Sequence, residues 1–149
     1  MTNIESKMRL NNGIEIPRIG LGVFQAARGT ETQTAVREAV ALGYRHIDTA
    51  RVYGNEIDVG IAVRECGIQR SEIFVTTKLW NEDQGYDSTL RAFDASRKRL
   101  GLEVIDLYLL HWPVLGKRLD SWRALEKLYG DGVVRAIGVS NFMVHHLDE

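Results

Sequence analysis

Asp48, Tyr53, Lys78 and His111 are an acid, a phenol, an ammonium and an imidazole, and each stands at or just beyond the end of a short apolar run. The runs are His46-Ile47-Asp48-Thr49-Ala50 with Tyr53 just after, Val75-Thr76-Thr77-Lys78-Leu79-Trp80, and Leu109-Leu110-His111-Trp112. A charge in apolar surroundings is costly unless it is paired, so Asp48 and Lys78 are expected to meet. Their meeting would bring a cation beside the Tyr53 phenol. Phenols ordinarily titrate near about pH 10. An adjacent cation favours the phenolate, which makes the phenol a usable proton donor near neutrality. His111 could donate a hydrogen bond to a substrate oxygen. Together these groups suit the reduction of a carbonyl, in which an acid protonates the developing alkoxide while a hydride reaches the carbon from a cofactor. Phe24, Trp80 and Trp112 would wall the carbonyl with apolar surface. Ser140 and Asn141 end a further run, Gly138-Val139-Ser140-Asn141, and carry donors and acceptors able to hold a carboxamide such as that of nicotinamide.

The elements that must position these groups follow from periodicity. The sequence opens on alternating segments around Asn12-Gly13 over residues 8–16, which predicts a hairpin with a type I′ turn closed by Pro17. Five runs rich in β-branched and other apolar residues come next, at 19–24, 44–49, 73–79, 104–111 and 133–139, with starts 25, 29, 31 and 29 residues apart. Helical patterns lie between them. Thr30-x-x-Gln33 reads as a capping box before Val36, Ala39 and Val40, with Gly43 as the closing glycine. The following stripes are Val59, Ala62, Val63 and Cys66 before Gly67; Leu90, Phe93, Arg97 and Leu100 before Gly101; and Trp122, Leu125, Leu128 and Tyr129 before Asp131-Gly132.

A strand followed by a helix every ~30 residues predicts βαβ units and a parallel sheet. Two architectures fit. An open doubly wound sheet would be complete with five strands, whereas a (β/α)8 barrel needs roughly 250 residues, of which this chain would supply the first half. Residues 141–149 begin a helix-like segment with neither cap nor tail, which favours the barrel. In either architecture functional groups gather at the carboxyl ends of the strands.

Composition narrows the function classes. With 19 Lys+Arg against 20 Asp+Glu the net charge is −1, and no basic stripe is present for nucleic acid. The one cysteine, Cys66, has no partner for an internal disulfide and falls on a helix stripe as a small core residue, which fits a reducing, cytoplasmic setting. No apolar run reaches ~18 residues and the N-terminus lacks a signal-like core, so neither membrane spanning nor secretion is expected. Several weaker motifs read as structure. Gly20-x-Gly22-x-x-Gln25 lacks the third glycine of a dinucleotide fingerprint, and Gly138-x-Ser140-x-Phe142 lacks the last glycine of a nucleophile elbow. His46-x-Asp48 shares one strand face, but is not read as a metal site. Adjacent His145 and His146 point about 100° apart on a helix and are read as solvent-facing.

The stretch Gly43-Tyr44-Arg45-His46-Ile47-Asp48-Thr49-Ala50, continued by Tyr53-Gly54-Asn55-Glu56, resembles the first signature of the aldo-keto reductases. Lys78 within Val75 to Trp80, His111 within Asp106-Leu107-Tyr108-Leu109-Leu110-His111-Trp112-Pro113, and Arg135-Ala136-Ile137-Gly138-Val139-Ser140-Asn141-Phe142 are similarly close to that family's motifs. The resemblance runs from Met8 onward and implies residues 1–149 as one domain, the N-terminal half of an α/β (β/α)8 TIM barrel. That half would hold the hairpin, the first four βα units, strand five and the start of its helix. It implies an oxidoreductase that reduces small aldehydes or ketones with NADPH, NADH being the alternative. Asp48, Tyr53, Lys78 and His111 would be the catalytic tetrad, with Tyr53 the general acid. Gly22, Val23, Asp48, Ser140 and Asn141 would touch the cofactor, and Phe24, Trp80 and Trp112 the substrate. Family members continue through three more strands, which carry the aromatic that stacks on nicotinamide and the cluster that holds the adenosine 2′-phosphate. The alternatives to an enzyme are an inactive half-barrel and a self-associating or cofactor-binding module. A chain of this length is expected to find a second copy or a second barrel half, because a half-barrel leaves strand edges open.

Overall fold

A computed structural model describes residues 3–148. Five parallel strands form one sheet in the order β3 (Leu21–Gly22), β4 (His46–Asp48), β5 (Phe74–Leu79), β6 (Ile105–Leu110) and β7 (Val134–Val139), which is also their order in the chain. Each strand pairs only with its sequence neighbours. Helices α1 (Thr30–Ala41), α2 (Glu56–Glu65), α3 (Tyr86–Leu100) and α4 (Arg118–Gly130) provide the crossovers, and each packs on the next. Crossovers of one hand without a reversal of strand order put all the helices on one face of the sheet. An open doubly wound sheet needs such a reversal, so this sheet is the singly wound arc of a (β/α)8 barrel. It holds four βα units, strand five, and α5 (Val144–Leu147) after it.

The core lies between the sheet and its helices. Val36 and Val40 of α1, Val59 and Val63 of α2, Phe93 and Leu100 of α3, and Leu125 of α4 are buried against Ile47, Val75, Leu79, Tyr108 and Leu110 of the strands. Period-3.6 apolar positions on each helix therefore meet period-2 positions on each strand, as the sequence pattern requires. Tyr129 departs from the expected α4 stripe: it is exposed, and its hydroxyl lies 3.5 Å from Asn12 Nδ2. Cys66 is half-buried on the α2 stripe, its thiol 3.2 Å from the Val63 carbonyl. Among the described residues no helix is long and apolar enough to cross a membrane.

The hairpin β1 (Lys7–Arg9) and β2 (Glu15–Pro17) lies across the amino ends of the strands, where Asn12 Nδ2 donates to the Arg135 carbonyl at 2.9 Å. Its turn is not type I′. Leu10 N–H bonds to the Ile14 carbonyl and only Gly13 takes a positive φ (+88°), so the loop has three residues, the last left-handed. The amino end is riveted by Asp106, whose nearly fully buried carboxylate accepts from Arg70 (2.6 Å), Arg135 (2.7 Å) and the Val75 N–H (2.9 Å). The expected capping box at Thr30 is likewise absent. Gly29 is the N-cap without a side-chain bond, and Gln33 reaches across to Asp58 on α2 at 2.8 Å. A long-range partner outcompeted the local one.

Candidate active site

The carboxyl ends of β4 and β5 bring three predicted groups together. Lys78, 6% exposed, sends its ammonium to Asp48 Oδ1 at 2.5 Å, to the Thr49 carbonyl at 3.1 Å and to the Tyr53 hydroxyl at 3.4 Å. The pairing arises from register. Asp48 lies opposite Thr76, so Lys78, two residues on, shares a face with Asp48 and extends one step further along it. Tyr53 arrives from a single 3-10 turn, Arg51–Tyr53, that ends on Gly54 at φ +73°. That left-handed residue turns the chain from the strand end into α2, and glycine adopts it without strain.

His111 follows β6 and completes the cluster. Its ring centroid lies 5.8 Å from that of Tyr53 and 5.4 Å from that of Trp80. Burial, reinforced by the Lys78 charge and opposed by Asp48, lowers the imidazole pKa below its usual 6.5. The ring is therefore neutral at pH 7 and carries one N–H. Its Nδ1 is buried and has no hydrogen-bond partner among the described residues. His46 points into the same barrel face and bonds through Nε2 to Thr76 Oγ1 at 2.9 Å, so it is committed to the neighbouring strand.

Two of the predicted aromatic walls, Phe24 and Trp80, flank this polar cluster. Phe24, 65% exposed, packs on Tyr53 with centroids 5.0 Å apart. Trp80 meets the opposite flank through His111, and Trp112 is 44% exposed, its carbonyl accepting from Gln84 Nε2 at 2.7 Å. None of the three is a core residue. Asn141 stands at φ +60° and donates through Nδ2 to the His111 carbonyl (2.9 Å) and to Ser140 Oγ (3.1 Å), which ties the β7 end to the β6 end. Gly22 faces open space at the end of β3: a Cβ there would touch nothing within 4 Å. Val23 lies beneath, its side chain in the core and its N–H bonded to the Asp48 carbonyl at 3.0 Å.

A cleft of about 800 Å³ lies at the opposite end, between the hairpin and the strand starts, lined by Ile14, Pro17, Arg45, Phe74 and Arg135 among others. It holds none of the clustered groups. His145 is exposed. His146 is half-buried, its Nδ1 accepting from the Met143 N–H at 2.9 Å, which departs from a wholly solvent-facing pair. Two contributors went unnoticed as site residues. Gln84 braces Trp112, and Asn55, fully buried, sends its side chain across to the β3 loop. Asn before a helix locally signals an N-cap, yet Asn55 makes no side-chain cap bond to α2, and nothing local points to its longer-range partners.

The aldo/keto reductase family model matches residues 18–149. The chain belongs to the aldo/keto reductase family. It is 55% identical over 148 residues to the glyoxal reductase of Bacillus subtilis, covering 99% of this chain and 54% of that protein. The aldo/keto reductase crystal structure from Brucella melitensis superposes with a TM-score of 0.93 at 52% identity, over 96% of this chain and 56% of that one. A structure of a Gox0644 variant in complex with NADPH gives 0.90 at 46% identity, over 98% and 53%. This aldo/keto reductase chain thus spans about half the length of the relatives it matches.

Proposed function

We propose that these residues form the proton-transfer side of an NADPH-dependent reduction of small aldehydes or ketones, with Tyr53 as the general acid. The observation that carries this reading is the Lys78 ammonium, held by Asp48 and the Thr49 carbonyl and directed at the Tyr53 hydroxyl. A carbonyl oxygen seated between Tyr53 and His111 would receive a hydrogen bond from the neutral imidazole and then the phenolic proton. Lys78 would stabilise the phenolate left behind, and Asp48 would hold Lys78 in place. Phe24, Trp80 and Trp112 would exclude water from the carbonyl. Gly22, whose open side leaves room for close approach, with Ser140 and Asn141 at the neighbouring strand end, would hold the nicotinamide end of the cofactor. When bound, that cofactor supplies the hydride. NADH is the other donor with the same nicotinamide chemistry.

The test is Tyr53→Phe, assayed by NADPH absorbance with glyoxal as the probe carbonyl. General-acid catalysis contributes about 10²- to 10⁴-fold, and turnover should fall by that factor with NADPH affinity unchanged. Turnover equal to that of the unaltered protein would refute the role of Tyr53. A second reading is favoured by the outer edge of β7, which pairs with no strand among the described residues, and by exposed Leu119, Met143, Val144 and Leu147 nearby. Those features suit association with the complementary barrel half or a second copy. Light scattering on a sizing column measures this, and a species with the mass of the single chain would speak against it.

A further inference from the structure

Asn55 has no exposed surface, and its carboxamide is engaged on both sides. Its Oδ1 accepts from Thr49 Oγ1 at 2.8 Å, while its Nδ2 donates to the Val23 carbonyl at 2.9 Å and to the Ala26 carbonyl at 3.4 Å. Val23 and Ala26 are the two ends of a tight turn, closed by Ala26 N–H to the Val23 carbonyl at 3.2 Å. Inside that turn Phe24 is followed by Gln25 at φ +65°, a left-handed position that favours glycine. A non-glycine residue persists there only when its surroundings over-determine it, and one carboxamide bonding both ends of the turn does so. The same carboxamide fixes Thr49, whose carbonyl accepts from Lys78, and it sits two residues after Tyr53. One buried side chain therefore joins the loop carrying Phe24, the strand end that seats Lys78 and the turn that delivers Tyr53.

We infer that Asn55 is a positioning residue that sets the packing of Phe24 on Tyr53 and the approach of the phenol to Lys78. It touches neither substrate nor cofactor. This inference rests on the proposed reduction for its kinetic consequence alone, since the ring contact can be measured without turnover.

The decisive comparison is between Asn55→Asp, which keeps size and the bond from Thr49 but loses both donations, and Leu128→Ala, a core truncation on α4 remote from the strand ends. Two readouts are taken on each: the cross-relaxation between the Phe24 and Tyr53 rings by NMR, and kcat with KM for glyoxal and NADPH. Asn55→Asp is expected to lose the ring contact and to lower kcat by about ten- to a hundredfold, the usual cost of misplacing a reacting group by about 1 Å, with KM little changed. Leu128→Ala is expected to lower Tm while keeping both the contact and kcat. A folded Asn55→Asp that retains the ring contact and kcat overturns the inference, as does an equal kcat loss in Leu128→Ala at equal Tm. Should Asn55→Asp not fold, Thr49→Val removes a bond to the same carboxamide. Weakened ring contact there supports the inference, and an unchanged contact overturns it. If the unaltered protein turns over no carbonyl, the proposed function fails, while the ring contact still decides the role of Asn55.

Discussion

Arg99→Met probes the most deeply buried charge among the described residues. Glu56 is 1% exposed at the start of α2, and both its oxygens are used: Oε1 accepts from Thr77 Oγ1 at 2.6 Å and Oε2 from Arg99 Nε at 2.6 Å. Arg99 is itself held by Ser96 Oγ at 2.9 Å, but its side chain is 30% exposed. Removing one partner of a buried pair strands the other charge and costs roughly 3–5 kcal/mol. Water reaching the Arg99 side screens part of that, so the lower end, about 3 kcal/mol, is expected. At roughly 2–4 °C per kcal/mol for a chain of this size, Tm should drop by about 6–12 °C. Adding Glu56→Gln removes the stranded charge while its amide oxygen can still accept from Thr77. The double variant should therefore recover most of the loss, to within about 1 kcal/mol of the unaltered protein. Urea and thermal unfolding of the three variants measure the cycle. A cost below about 1 kcal/mol for Arg99→Met, or additive costs in the double variant, would refute the view that this pair is a desolvated brace between α2, α3 and β5.

Burial lowers the pKa of both His46 and His111, with the Lys78 charge acting in the same direction. Each ring thus binds its proton more readily in the unfolded chain, at about 6.5, than in the folded protein. Stability should be full above about pH 6.5 and decline as the pH falls through that value, a slope visible in Tm from about pH 8 to 5 and reduced by His46→Gln. A Tm that rises on acidification across that window would contradict the burial of both rings. Gly60→Ala should be among the most damaging single-methyl insertions, because the new Cβ would lie 2.0 Å from the backbone carbonyl oxygen of Leu100 where α2 crosses the end of α3. About 3 kcal/mol or more is expected from forced separation of the two helices, read by urea unfolding, and a loss under about 1 kcal/mol would show that they can part freely.

The strands and the ion pair were legible in the sequence for one physical reason. Runs rich in β-branched and other apolar residues recur every ~30 residues, and a lysine at the end of one such run needs a carboxylate from a neighbouring run. The extent of each strand was less legible. The run at 19–24 keeps only Leu21–Gly22 as strand, since an edge strand has ladder partners on one side alone and leaves the sheet at Val23 for the Phe24 turn. The capping box expected at Thr30 and the role of Asn55 were missed for a common cause: Gln33 and Asn55 both found partners on other elements, at Asp58 and at Val23. Such distances in sequence leave no trace in a window of four residues.

The hairpin across the amino end has a consequence for the order in which the molecule assembles. Every parallel pairing joins neighbouring units, as with Ile47 on Val75 or Leu107 on Ala136, so the sheet can grow one unit at a time as the chain emerges from the ribosome. The bond from Asn12 to the Arg135 carbonyl instead closes a span of 123 positions. The hairpin, synthesised ahead of the whole parallel sheet, thus has its docking surface finished only once β7 is in place. The hairpin's anchor on the fifth strand therefore ties the segment ahead of the sheet to its far edge, a latch that can close only when all five strands are present.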